Sequence, residues 1–169
     1  MAQTQKGSTE KGKRTGGSKA RTPNAILKED HERVLKLFKE YEKLKTGSGT
    51  PSKKQALAYK ICNELKVHTK IEEELYYPRV REATDKDSLL NEAEVEHASA
   101  ETLIRQLEAM SPDERLYDAK MKVLGEYIRH HIKEEQDEMF PLAKKAGVDT
   151  EELAERMLAR KEALKKKLH

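Results

Sequence analysis

Apolar residues in this chain return every three or four positions, in four long runs and a shorter fifth, and rarely alternate. That period marks one face of an α-helix, whereas half-buried strands alternate at two. The first run, about 24–45, carries Leu27, Val34, Phe38 and Tyr41, and stops at Thr46-Gly-Ser-Gly-Thr50. The second opens at Pro51 or Ser52 and carries Leu57, Ile61, Leu65 and Leu75. The third, about 86–110, carries Leu90, Ala93, Ala100, Ile104 and Leu107. The fourth begins at Ser111-Pro112-Asp-Glu114, where Ser caps, Pro takes the first helical position and Glu the third. It continues through Tyr117, Met121, Leu124, Ile128, Met139 and Leu142. After Gly147, Asp149 and Thr150 offer a cap for a helix of about 151–168, whose Leu153, Met157, Leu164 and Leu168 can pack on the bundle or on a second chain. The pattern predicts an all-α, up-down-up-down bundle over 23–146 with an additional C-terminal helix in 147–169, as a monomer or homodimer.

Composition narrows this further. The chain is 38 % charged with no Trp and only two Phe, which suits a small helical bundle better than a sandwich or barrel. Residues 1–22 carry Lys6, Lys11, Lys13, Arg14, Lys19 and Arg21 against Glu10 alone, among Gly, Ser and Thr. They show no hydrophobic period and read as a disordered basic tail. The tail offers electrostatic contact to nucleic acid or another acidic surface, although no aromatic is interleaved to stack on bases. No apolar run is long enough to span a membrane, and the N-terminus has no signal-peptide core. Cys62 is the single cysteine, which fits a reducing, cytoplasmic setting.

Chemistry enters with one pattern written twice: His68-Thr-Lys-Ile-Glu72, with Pro78 beyond it, and His131-Ile-Lys-Glu-Glu135, with Pro141 beyond it. Residues i and i+4 share a helix face, so each segment aims an imidazole and a carboxylate at one spot. His68, Glu72, His131 and Glu135, together with His31 and His97, occupy positions where the stripes expect Leu or Ile. At ~1.5 Å rise per residue, the four histidines fall in one band ~10–22 Å from the same end of the bundle. Burying two carboxylates and four imidazoles in hydrocarbon is unfavourable unless they are satisfied. The competing reading is a set of core histidines bonded to one another and to the glutamates. A metal accounts better for all six converging. Six donors exceed the four of a tetrahedral zinc site and suit two ions bridged by carboxylates. On this count iron or manganese is favoured over zinc, which could still substitute by its affinity.

The order His31, His68-x-x-x-Glu72, His97, His131-x-x-x-Glu135, with Asp30-His31-Glu32 and Glu96-His97, resembles the hemerythrin-like HHE cation-binding proteins over about 25–145. The resemblance implies an antiparallel four-helix bundle around a non-heme, oxygen- or hydroxide-bridged di-iron centre. In that pattern the four histidines are terminal ligands, and Glu72 and Glu135 bridge. The chain departs from oxygen-carrying hemerythrins twice. His97 is followed at i+4 by Glu101 instead of a second histidine, and the last bridging group is Glu135, four residues after its histidine. The missing imidazole leaves a place for Glu101, for water, or for a phenol such as Tyr127.

Fewer imidazoles and more oxygen donors favour the ferric state, which points from reversible oxygen carriage toward peroxide chemistry or iron sensing. The leading expectation is a di-iron protein binding oxygen or a related small oxidant for sensing, storage or detoxification. The alternatives are a peroxide-decomposing enzyme, and a metal-stabilised interaction module whose tail contacts nucleic acid. Neighbouring residues carry less. His130 points about 100° from His131 and reads as surface or supporting. Glu73, Glu74, Glu134 and Glu138 read as a solvated face, with some able to orient imidazoles. Tyr76, Tyr77 and Phe140 read as packing, His169 and Cys62 as inert. The last helix suggests no chemistry, and Pro78 and Pro141 should end or kink their helices.

Overall fold

A computed structural model describes residues 21–168; all but the last two residues of the basic tail, and His169, lie outside that range. The described residues form helices and turns, with no strand among them. Helix α1 spans Pro23–Thr46 and α2 spans Pro51–Ile71. A π-turn at Glu72–Tyr76 carries α2 into α3, Tyr77–Ala83. Then come α4, Asp87–Glu108, and α5, Tyr117–Glu134. A second π-turn, Glu135–Met139, leads into α6, Phe140–Lys145, and α7 covers Glu151–Leu168.

The helix starts follow from local chemistry. Thr22 and Thr50 accept hydrogen bonds from the backbone N–H of Ala25 and Lys53, each with a proline at the first helical position. Thr150 accepts from the N–H of Leu153 at 3.3 Å and caps α7, while Gly147, at φ 73°, closes the end of α6. The fourth helix starts later than Ser111. The Ser111 N–H does donate to Glu114 Oε1 at 2.7 Å, but the Ser111 hydroxyl turns to Asp113. The Tyr117 N–H donates to the Glu114 carbonyl at 2.9 Å. These three-residue closures make tight turns, and α-helical pairing begins only at Tyr117.

Helix α1 packs against α2 and α5, α2 against α4, and α4 against α5, closing a ring. Gly125 lets α5 come close to α1, since a β-carbon there would lie 3.1 Å from the Phe38 ring. Helix α7 lies against α1, α2 and the first π-turn. The core is split in two. One apolar cluster includes Val34, Phe38, Ile61, Leu65, Ala100, Ile104, Leu124 and Ile128. The other includes Leu27, Ile71, Val80, Leu90, Ala93, Met139 and Ala143. In α1, α2 and α4 the buried histidine falls between a residue of one cluster and a residue of the other, whereas in α5 His131 follows Ile128 of the first cluster and the second is reached at Met139, in the π-turn beyond. A polar layer is thereby sealed between two hydrocarbon layers.

Neither Pro78 nor Pro141 ends its helix. A proline inside an α-helix clashes with the carbonyl four residues back. Here the register shifts just before each proline. The Tyr77 N–H bonds the Glu72 carbonyl and the Phe140 N–H bonds the Glu135 carbonyl, five residues apart instead of four. No described helix is long and apolar enough to cross a membrane.

Candidate metal centre

Each π-turn begins on one of the two repeated glutamates, and both glutamates are completely buried. The six predicted donors converge between the two apolar clusters. His31 and His68 bring their Nε2 atoms to 3.1 Å, and His97 and His131 bring theirs to 3.2 Å. The carboxylates lie between these pairs. Glu72 Oε1 is 3.0 Å from His68 Nε2, while its Oε2 is 3.3 Å from His97 Nε2. Glu135 Oε2 is 3.1 Å from His31 Nε2 and 3.6 Å from His131 Nε2. Each glutamate therefore spans both imidazole pairs.

Three of the four outer ring nitrogens meet a hydrogen-bonding partner, and His68 Nδ1 faces a carboxylate at longer range. Glu96 Oε2 sits 2.8 Å from His131 Nδ1, and Glu73 Oε1 sits 3.1 Å from His97 Nδ1. Asp30 Oδ2 faces His68 Nδ1 at 3.6 Å, and the Gln136 amide faces His31 Nδ1 at 3.1 Å. These contacts repeat with a pseudo-two-fold plan. The residue before each solitary histidine, Asp30 or Glu96, backs a histidine of the neighbouring repeat. The residue after each repeat glutamate, Glu73 or Gln136, backs a solitary histidine in turn. An imidazole whose outer N–H donates to a carboxylate, as at His97 and His131, presents its inner nitrogen as a fixed, more basic donor.

Electrostatics give the same picture. Burial pushes His68 toward the neutral form, yet the Glu72 carboxylate and Asp30 outweigh it and raise its pKa to about 10. His97 is likewise raised to about 9, against burial, by Glu72 and Glu73. Burial would raise the Glu72 carboxyl, but His68 and His97 hold it well below the ordinary carboxylate range. The cluster thus draws positive charge inward. Both oxygens of Glu72 and Oε2 of Glu135 still complete no hydrogen bond. Such orphaned, buried carboxylate oxygens, facing paired imidazole nitrogens, fit cations placed between them. Imidazole with carboxylate suits iron, manganese or zinc.

The other two sequence candidates do not join the cluster. Tyr127 is 49 % exposed and lies on the outer side of α5. Glu101 has a side chain 64 % exposed, 3.9 Å from Arg105. Tyr77 stands in the place sought for them. Its hydroxyl donates to Glu135 Oε1 at 2.9 Å and lies 3.3 Å from His97 Nε2. Phe140, at the same offset from the second glutamate, stacks on His31 with ring centroids 5.7 Å apart. The expectation that Tyr77 serves only for packing is therefore corrected. Tyr76 instead donates to Asn24 Oδ1 at 2.6 Å, and Asn24 Nδ2 donates to the Phe140 carbonyl at 2.9 Å, tying α1 to both π-turn segments. His130 lies outside, 3.4 Å from Glu96 and 3.2 Å from Glu134. Cys62 is buried away from the cluster, and burial pushes its thiol up to about 12.

A ring of helices enclosing two imidazole pairs and two spanning carboxylates defines a helical metal-binding protein. The family described as "Hemerythrin HHE cation binding domain" matches residues 22–143, and the chain belongs to it. The chain is also similar to an HHE cation-binding domain-containing protein from Mycobacterium kansasii of known crystal structure. The two share 25 % identity with a TM-score of 0.70, over 85 % of this chain and 86 % of that one. A protein from Nostoc sp. named DNA nickase is 27 % identical over 145 residues, 85 % of this chain. The chain spans only 40 % of that relative's length.

Proposed function

We propose that the chain is an antiparallel four-helix di-iron protein that binds oxygen or a related small oxidant, in sensing, storage or detoxification. His31 and His68 would hold one ion and His97 and His131 the other, with Glu72 and Glu135 available to both. The observation that carries this reading is Glu72, whose two buried, unpaired oxygens face one imidazole pair each. Iron supplies reversible one-electron chemistry and open coordination positions for a small ligand. The protein's own part is to fix the four imidazoles from behind, exclude bulk water with the flanking apolar layers, and place the Tyr77 hydroxyl beside the His97 side. Metal analysis after iron-replete expression should give about two irons per chain. One zinc with no iron would remove this reading.

Peroxide decomposition at the same centre is the second reading, and Tyr77 favours it. Its hydroxyl stands beside His97 Nε2, within hydrogen-bonding reach of an oxygen species held at the cluster. One peroxide is oxidised to dioxygen while another is reduced to water, and the buried phenol stays protonated as a hydrogen-bond donor. Burial, then the Glu135 and Glu72 carboxylates, raise its pKa well above the ordinary value. Oxygen evolution from peroxide, abolished in His131→Ala, supports this reading; turnover no greater than that of free iron removes it. Nucleic-acid contact through residues 1–22 is the remaining reading, prompted by the basic tail and the nickase relative. Deleting the tail should then abolish a salt-sensitive DNA affinity. Absence of DNA binding by the full chain at low salt discards it.

A further inference from the structure

The two imidazole pairs share one backbone plan but stand in different charge environments, and the C-terminal helix supplies part of the difference. Lys161 of α7 is only 7 % exposed and donates to Asp30 Oδ1. Arg33 Nη1 donates to the same oxygen at 2.9 Å and also meets Glu64 at 3.3 Å. With two cations on Oδ1, Asp30 offers His68 Nδ1 only its Oδ2, at 3.6 Å. His31, in the same pair, is backed by a neutral amide and lies against the Phe140 ring.

The opposite pair is backed by two carboxylates, Glu73 and Glu96, at 3.1 and 2.8 Å. Among the described residues no buried lysine or arginine pairs with either one, and Glu96 meets only the exposed His130, 3.4 Å from its other oxygen. The nearest cation to Glu73 is Lys70, at 4.0 Å with half its side chain in solvent. Tyr77 adds its oxygen on this side only. A carboxylate pulling on the outer N–H makes an imidazole a stronger donor, and stronger donors stabilise the higher metal charge. The neutral amide and doubly paired aspartate behind one imidazole pair, against two carboxylates behind the other, therefore act in one direction.

We propose that the chain makes its two metal ions inequivalent, the ion between His31 and His68 being reduced first, and that Lys161 is the positioning residue that sets this by occupying Asp30. The inference rests on the two-iron reading. One electron added to the oxidised pair resides on the His31/His68 ion and leaves its partner ferric. Lys161→Met frees Asp30 to pull harder on His68, so the first reduction becomes less favourable.

The test is an anaerobic dithionite titration of the full-length, iron-loaded protein, followed by Mössbauer and electron paramagnetic resonance spectra. In Lys161→Met the first one-electron step should move to lower potential by about tenfold in its equilibrium constant, the low end for partners behind a metal ligand. That is about 59 mV for one electron. Lys161→Arg should stay near the wild type. A first step unmoved in Lys161→Met, with only the melting temperature of the metal-free protein lowered, would reduce Lys161 to a structural ion pair and overturn the inference. Should Lys161→Met fail to fold, half-reduced protein carrying Glu73→Gln, which alters only the backing of His97, decides. Its ferric signal must change and its ferrous signal must not; the reverse, or a delocalised valence, overturns the inference. Iron absent from the wild type would defeat the two-iron reading itself, whereas an iron pair with equivalent ions defeats only this inference.

Discussion

The two halves of the cluster have nearly the same skeleton and quite different surroundings. Each is built from a solitary histidine with an acid before it and a histidine–glutamate repeat running into a π-turn. On one side a neutral amide, a doubly neutralised aspartate and a phenyl ring back the imidazoles. On the other side stand two carboxylates and a phenol. Backbone repetition is enough to place donors, whereas their electronic character is set by residues the repeat does not include.

The most damaging change to this comparison is to remove what the halves share. Glu72→Gln should cost more metal affinity than the ~100-fold upper range for partners behind ligands, because it disables a group spanning both pairs. Equilibrium dialysis against iron or zinc reads this. A second lever is pH. His68 and His97 have folded pKa values raised to about 10 and about 9, so their stabilisation of the metal-free protein is complete below about 6.5. It is lost as pH rises through about 9 to 10. Metal binding must release those protons, so affinity should rise over the same window. Thermal melts of metal-free protein that gained stability from pH 6 to pH 9 would contradict this.

Replacing one backing carboxylate at a time sharpens the contrast between the halves. Glu96→Gln should lower metal affinity by about 10- to 100-fold. Asp30→Asn should cost less, because Lys161 and Arg33 already spend most of that carboxylate. Chelator competition compares the two; equal losses would erase the distinction. Tyr77→Phe makes the halves alike at that offset. It should destabilise the metal-free protein by about 1–3 kcal/mol, since Glu135 loses a buried donor, as measured by denaturant melts. The smallest effects belong to Glu101→Gln and Tyr127→Phe, which should change stability by under about 0.5 kcal/mol and leave metal content untouched.

Much of this arrangement was readable from spacing. The stripes of three and four placed His31, His68, Glu72, His97, His131 and Glu135 on facing surfaces, and the structure brings all six together. Tyr77 escaped because a helical count of 3.6 puts Tyr76, not Tyr77, one turn after Glu72. The π-turn adds a residue to that turn and swings Tyr77 into the direction of the cluster. Lys161 escaped for a different reason. Its partner Asp30 lies 131 residues away, and a lone lysine on an amphipathic helix carries no local mark of burial. The start of α5 was misjudged because Ser111 and Glu114 do form a capping interaction, but one that closes a turn instead of opening a helix. The reading of the basic tail as disordered rests on residues 1–20, which lie outside the described residues.

A π-turn is a helix holding one residue more than its pitch requires, and this fold contains two of them at matching places. Winding Glu72–Tyr76 as ordinary α-helix, with no residue removed, would turn all that follows by roughly 100°. Tyr77 and Val80 would leave the interior, and Pro78 would meet a carbonyl it now avoids. The same holds for Phe140 and Ala143 after the second turn. The wide turns thus act as phase correctors, holding each repeat glutamate and the aromatic residue five positions on to one side of the helix.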